Sequence, residues 1–203
     1  MKMRHKTEIL TIAGELFSER GYHGTSMREL GRALDMKSAS LYSHVKSKEE
    51  LLWEIINHTA NRFLEHARSV PVDISPEQQI ASLSRGHLEL IAQNLHYATV
   101  FFHEWKYLEA PLHDRIKAQS EEYEAFFYRA IEQGVQQGAF HITDIHLAVR
   151  FVLSSLNWTY QWFEPEGDLS LERLAEHYIA LILNALTGSH DSQACHPERQ
   201  QRI

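Results

Sequence analysis

The residues best suited to do chemistry lie between Thr25 and Glu50. The run Lys37-Ser38-Ala39-Ser40-Leu41-Tyr42-Ser43-His44 sets one apolar residue, Leu41, among small and polar ones. A helix of about two turns buries too little surface to be stable alone. Held on a rigid platform, it would present Lys, Ser, Tyr and His side chains that hydrogen-bond to base edges and phosphates. The DNA major groove admits such a helix, and small Ala39 and Ser40 permit close approach. Ser47-x-x-Glu50 then reads as a capping box that opens the following helix. Lys48 falls in its first turn, where free backbone N–H groups and the macrodipole favour an anion, with phosphate as the natural partner. Upstream, Thr25 is expected to cap a helix through its hydroxyl, with Met27, Leu30 and Leu34 facing inward.

Other chemistries find no constellation. No Glu has a His three residues later, as a di-iron bundle needs. No phosphate-binding Gly-rich loop and no Ser/His/Asp ordering signal occurs in the sequence. No catalytic residue and no cofactor is therefore expected. The single cysteine, Cys195, allows no intramolecular disulfide and no thiol cluster for zinc. Fourteen His raise metal sensing as an alternative, with His87, His96, His103 and His113 as candidates to converge and His141 and His146 near in sequence. No His-x3-His pair occurs, and dispersed His is usually solvated surface, so no metal ligand is assigned.

Charge is distributed unevenly. The chain carries a net −7, yet residues 1–51 hold nine Lys/Arg against seven Asp/Glu, and the remainder is strongly acidic. Lys2, Arg4, Lys6 and Lys37 belong to an N-terminal arm and the candidate reading segment. A basic head on an acidic body suits a protein that faces DNA at one end. No stretch approaches the ~18 consecutive apolar residues of a transmembrane helix, and the N-terminus lacks the apolar core of a secretory signal. A cytoplasmic location without membrane association is expected.

The elements that must position these groups are helical. Ile9, Ile12, Ala13, Leu16 and Phe17 recur at i, i+3, i+4, i+7, i+8, and the later segments repeat that spacing. No convincing period-two run suggests a strand. Nine helices are predicted, near 4–20, 26–34, 37–43, 48–68, 76–93, 96–108, 111–137, 143–163 and 170–187. The fold expected is all-α. A helix-turn-helix three-helix domain (1–47) joins a C-terminal sensing and dimerisation bundle (48–187), with a disordered tail (188–203).

The run Gly21-Tyr22-His23-Gly24-Thr25-Ser26-Met27-Arg28-Glu29-Leu30, followed by Ser38-Ala39-Ser40-Leu41-Tyr42-Ser43-His44-Val45-Lys46-Ser47-Lys48-Glu49-Glu50-Leu51, closely resembles the N-terminal domain of the tetracycline-repressor (TetR) family. The resemblance implies Thr25, Arg28, Tyr42 and Lys48 at phosphates. It implies Lys37, Ser38, Ser40, Ser43 and His44 near base edges of double-stranded DNA at a near-palindromic operator. Two positions depart from the family pattern. Asp35 stands where the turn usually has Gly, and Asp tolerates the left-handed conformation better than most residues. Val45 replaces the usual Phe and shrinks a core contact.

The body is rich in rings, which suggests an apolar cavity or an aromatic interface. The segments Phe101-Phe102-His103-Glu104-Trp105-Lys106-Tyr107-Leu108 and Leu156-Asn157-Trp158-Thr159-Tyr160-Gln161-Trp162 resemble those of TetR-family members governing fatty-acid and steroid-ring breakdown. That resemblance implies an acyl-CoA thioester as the small-molecule effector, with drug or metal sensing by the same fold as the alternative. Phe102, Trp105, Tyr123, Phe127 and Trp158 are the expected cavity lining, with CoA phosphates near Arg115, Lys117 or Arg150. Apolar stripes in the last two helices (Leu147, Ala148, Phe151, Val152, Ser155, Leu156 and Thr159; Leu171, Leu174, Ala175, Tyr178, Ile179, Ile182, Ala185 and Leu186) suit a four-helix interface. The resemblance implies a C2 homodimer. Its two reading helices would sit ~34–36 Å apart, and the effector would favour another spacing that releases DNA.

Overall fold

The computed structural model describes residues 6–188, with the side chain of Ser38 outside the description. The expected tail from 189 onward, Cys195, Lys2 and Arg4 thus lie outside the described residues. The described residues form nine α-helices: α1 (Lys6–Arg20), α2 (Met27–Ala33), α3 (Ser38–Tyr42), α4 (Lys48–Ser69), α5 (Pro76–Gln93), α6 (Leu95–Glu104), α7 (Leu112–Gln136), α8 (Ile145–Asn157) and α9 (Leu171–Thr187). No strand occurs among them.

Two predicted helices end early. The sixth stops at Glu104 and continues as a 3-10 turn over Trp105–Tyr107, because Tyr107 leaves the helical path to lie beside Tyr22 and His23 of the head. The eighth stops at Asn157 and tightens into a 3-10 turn over Trp158–Gln161. There the buried Thr159 hydroxyl donates to the Leu156 carbonyl at 2.7 Å, and the N–H groups of Trp162 and Phe163 both return to the Thr159 carbonyl.

Two apolar cores lie along the molecule. The head core joins Ile9, Phe17, Leu30, Leu34, Leu41 and Val45 to Leu51, Leu52, Ile55 and Ile56 of α4 and to Val100, Leu108 and Ile116 of the body. The body core gathers Phe63, Leu64 and Ala67 of α4 with residues of α5 to α9. α4 therefore belongs to both cores. Close approach of head and body is secured by Gly14 on α1: a Cβ there would sit 2.6 Å from the Tyr97 ring of α6.

Candidate functional site

The short helix α3 is held by the turn before it. Asp35 adopts φ 51°, the left-handed conformation expected of it. The Met36 N–H donates to the Gly31 carbonyl at 2.8 Å and the Asp35 N–H to the Arg32 carbonyl at 3.0 Å. This is a Schellman arrangement with Asp in the position that usually takes Gly. Leu41 is wholly buried as the anchor of α3, and Val45 is buried beside it. Around them Lys37, Tyr42 and Ser43 are exposed, and Ser40 and His44 half-buried. The Ser43 hydroxyl donates to the Ser40 carbonyl at 2.6 Å, leaving its lone pairs outward. Arg28 on α2 is exposed. Lys37, Tyr42, Ser43 and His44 thus lie on or beside one short helix, and Arg28 stands on α2. For Ser38 only the backbone, as the first residue of α3, is described.

Three expectations about caps and anchors are corrected. Ser26, not Thr25, caps α2: its hydroxyl accepts from the Glu29 N–H and the Glu29 carboxylate accepts from the Ser26 N–H at 2.8 Å. Hydrogen bonds from the Ser26 hydroxyl and N–H hold the Glu29 carboxyl below its ordinary range. Thr25 is buried, and its hydroxyl donates to the Leu16 and Gly21 carbonyls. It stitches α1 to the loop and has no free face for a phosphate. At α4 only half a capping box forms: Ser47 accepts from the Glu50 N–H, but the Glu50 carboxylate turns to the Lys46 N–H. Lys48 also turns inward. Its Nζ donates to the Tyr22 carbonyl at 2.8 Å and the Thr25 carbonyl at 2.9 Å, and lies 4.2 Å from the Tyr22 ring centre. Partial burial lowers its pKa. Two of its three protons are thereby committed, so it is first a clamp on the loop and only through the third a candidate for an outside anion.

The body holds a cavity of about 250 Å³ between α4, α5, α6, α7 and α8. Of the five expected residues, Phe102, Trp105 and Tyr123 line it. Phe127 does not. It is fully buried one turn beyond Tyr123, edge-on to that ring. Trp158 does not either: the 3-10 turn rotates it outward, where it is 62% exposed. Residues missed by the sequence reading complete the wall: Ala60 and Phe63, His87, Phe101, Ile116, Gln119, Ser120 and Glu124, and Leu153 and Asn157. The available signal was His87 within the apolar stripe Ile80, Leu83, Leu88 and Ile91 of α5. Arg115, Lys117 and Arg150 do not line the cavity; Arg115 sits over Trp53 and Lys117 pairs with Glu121.

His87 is the centre of the wall's polar chemistry. It is buried, its Nδ1 lies 2.9 Å from the Tyr123 hydroxyl, and its ring packs 4.7 Å from Phe63. Burial pushes its pKa down to about 3, with the Asn157 side chain acting in the opposite direction, and the same burial raises that of Tyr123. The imidazole is therefore neutral at physiological pH. The four His considered for metal do not converge. His96 bonds Ser18, His103 meets Tyr160 and Gln161, and His113 stacks on Trp105.

The cavity wall touches the head. α6 carries Phe101 and Phe102 into the cavity, and its last residue, Glu104, accepts the Tyr22 N–H at 2.9 Å. Tyr107 then stacks on Tyr22, with centroids 6.0 Å apart, and meets His23 edge-on at 4.3 Å. The outer faces of α8, of the 3-10 turn that follows it and of α9 leave Leu147, Phe151, Trp158 and Leu181 exposed. The expected stripes are thus split: Val152, Leu156, Thr159, Leu174, Ile182 and Leu186 face the protein's own core.

Comparison with known proteins agrees with both halves. The model for bacterial regulatory proteins of the tetR family matches residues 9–55, and that for the tetracyclin repressor-like C-terminal domain matches 73–186. The HTH-type transcriptional repressor KstR2 of Rhodococcus jostii (strain RHA1) is 28% identical over 195 residues, covering 94% of this chain and 95% of its own. The TetR family regulator PfmR of Thermus thermophilus superimposes with a TM-score of 0.81 at 32% identity, over 88% of this chain and 98% of its own. AibR, solved with isovaleryl coenzyme A and operator DNA, gives a TM-score of 0.78 at 30% identity, over 86% and 96%. With both family models matched in order along the chain, this protein belongs to the TetR family of bacterial transcriptional regulators.

Proposed function

We propose that this protein is a homodimeric transcriptional repressor that an acyl-CoA thioester releases from its operator. The observation that carries the reading is α6. One helix walls the cavity with Phe101 and Phe102 and holds the head through Glu104 and Tyr22. A ligand that displaces α6 also displaces the loop that supports α2 and α3. A cavity with mostly aromatic and aliphatic walls suits an acyl group, and AibR, whose fold is shared, was solved with an acyl-CoA and operator DNA. The repressor name of the KstR2 relative supports the sign of regulation.

At the DNA, Lys37, Ser40, Ser43 and His44 are proposed to read base edges, with Ser38 beside them. Arg28 and Tyr42 are assigned to phosphates. Leu147, Phe151, Trp158 and Leu181 are proposed to meet their symmetry mates in a C2 dimer.

The test is a binding-site selection from random duplex DNA, followed by fluorescence anisotropy on the selected site. Acyl-CoAs should release the duplex, while free CoA and zinc should not. Release by zinc with no response to any thioester would replace this reading with metal sensing.

A further inference from the structure

The cavity lies where the two cores meet. Of its lining residues, Ala60 on α4 and Ile116 on α7 belong to the head core, whereas Phe63 and Tyr123, further along the same helices, belong to the body core. Its volume of about 250 Å³ falls below the ~300–1,000 Å³ of ordinary ligand sites. An occupant of ordinary size must therefore part the walls. Parting residues within one core breaks close packing. Parting the two cores at their junction breaks less, because the cavity already interrupts the contacts there.

Amides tie α4 to α7 at that junction. Gln119, between Ile116 and Tyr123 on α7, lines the cavity. Its Nε2 donates to Asn61 Oδ1 at 2.8 Å and lies 3.4 Å from Asn57 Oδ1, both on α4. Asn57 and Asn61 are half-buried, and neither lines the cavity. Their i, i+4 spacing places both on one face of α4. The Gln119 Oε1 is buried and has no hydrogen-bond partner. Buried amides normally satisfy both ends. This side chain is held by its donor alone and gives way readily to an arrangement that satisfies both. Of the other links between these helices, Arg115 lies over Trp53 nearer the head, and the Arg68–Glu122 ion pair is about half exposed and contributes little.

We infer that Gln119 and Asn61 form a latch. Their bond holds α4 against α7 in the arrangement that binds operator, and an occupant that parts the two helices breaks it. Asn61 is a positioning residue that acts through Gln119. One neutral hydrogen bond shifts an equilibrium by about two- to tenfold, so the latch tunes release rather than forbidding it. The inference deepens the proposed repressor mechanism, and it rests on the acyl-CoA reading only where a thioester is the probe.

The first measurement needs no effector. Full-length protein carrying Cys195→Ser is given one buried thiol, either Ile116→Cys at the junction or Ala130→Cys in the body core away from the cavity, and its reaction with N-ethylmaleimide is timed. Both positions are buried, so the rate reports opening. Asn61→Ala should speed labelling at Ile116→Cys by about two- to tenfold and leave Ala130→Cys unchanged. Asn57→Ala, which removes the longer contact, should do less. With Gln119→Leu already present, Asn61→Ala should add nothing. The second measurement takes affinities for the selected operator by anisotropy, and for isovaleryl-CoA and octanoyl-CoA by calorimetry. In a two-state equilibrium the fold loss of operator affinity times the fold gain of thioester affinity equals the fold shift between the states. For Asn61→Ala that product should again be about two to ten. Unchanged labelling at Ile116→Cys overturns the latch, and so does equal acceleration at both thiols, which marks general loosening. An Asn61→Ala effect that persists beside Gln119→Leu overturns the role of Gln119. Labelling as expected with a product of one overturns the link to DNA release. Failure of both thioesters to bind the wild type counts against the acyl-CoA reading, while the labelling result still decides the latch.

Discussion

Acid should destabilise this protein through His87, and the size of the effect follows from the burial of its ring. In the unfolded chain its pKa is near the ordinary 6.5, whereas in the fold burial lowers it to about 3. Between those values the unfolded state takes up a proton that the folded state refuses. The stabilising contribution is complete above 6.5 and is lost progressively as pH falls toward 3. At pH ~5 the unfolded imidazole is almost fully protonated and the folded one almost fully neutral. Linkage then gives a loss of about 2 kcal/mol relative to pH ~7.5, a figure that changes little if the folded value lies a unit higher. The assay is urea denaturation at both pH values, at fixed protein concentration because the proposed dimerisation would couple to stability. Wild type and His87→Phe are run in parallel so that the remaining carboxylates and His cancel. The wild type should lose about 2 kcal/mol more than the variant on acidification. An equal loss in both proteins would refute the reasoning, because it would mean that His87 is solvated or charged within the fold.

Three further outcomes follow from the contacts described. Lys48→Met should destabilise the head by about 1–3 kcal/mol, since two charge-assisted hydrogen bonds and a ring contact are lost. Its operator affinity should fall without the unit change in salt slope that loss of a direct phosphate contact gives; a slope reduced by ~1 would restore Lys48 as a phosphate anchor. Glu104→Ala should leave effector affinity within a few-fold of wild type but blunt effector-driven release, read by anisotropy with saturating ligand; an undiminished release would remove Glu104 from the coupling. Phe151→Glu, at an exposed apolar position on α8, should shift the protein to monomer in sedimentation velocity, and a persistent dimer would place the interface elsewhere.

The parts legible in the sequence are those decided by local physics. Asp35 could be read as a left-handed turn residue because few side chains tolerate that conformation, and it adopts φ 51°. Leu41 could be read as an anchor because it stands out as apolar among small and polar neighbours. Other features depend on what the chain meets at a distance. Thr25 and Ser26 are adjacent hydroxyls, and only the return of α1 decides which is buried. Lys48 reads as an outward cation unless the Tyr22 and Thr25 carbonyls are known to lie above it. Counting rings identified a cavity-forming composition but not the direction of each ring. Phe127 therefore fell in the core, and Trp158 was turned outward by a change from α to 3-10 winding.

The double membership of α4 sets a mechanical scale. Its 22 residues make a rod of about 33 Å, and Ala60 and Phe63 touch the cavity some 12–15 residues from the head end at Lys48. Pivoting about the cavity contact, that arm is about 20 Å long. A swing of about 5° would carry its head end by nearly 2 Å, and twice that between the two heads of the proposed dimer. This is about the rise of one base pair, ~3.4 Å, so a few degrees at the cavity would put the two reading helices out of step with the two halves of an operator.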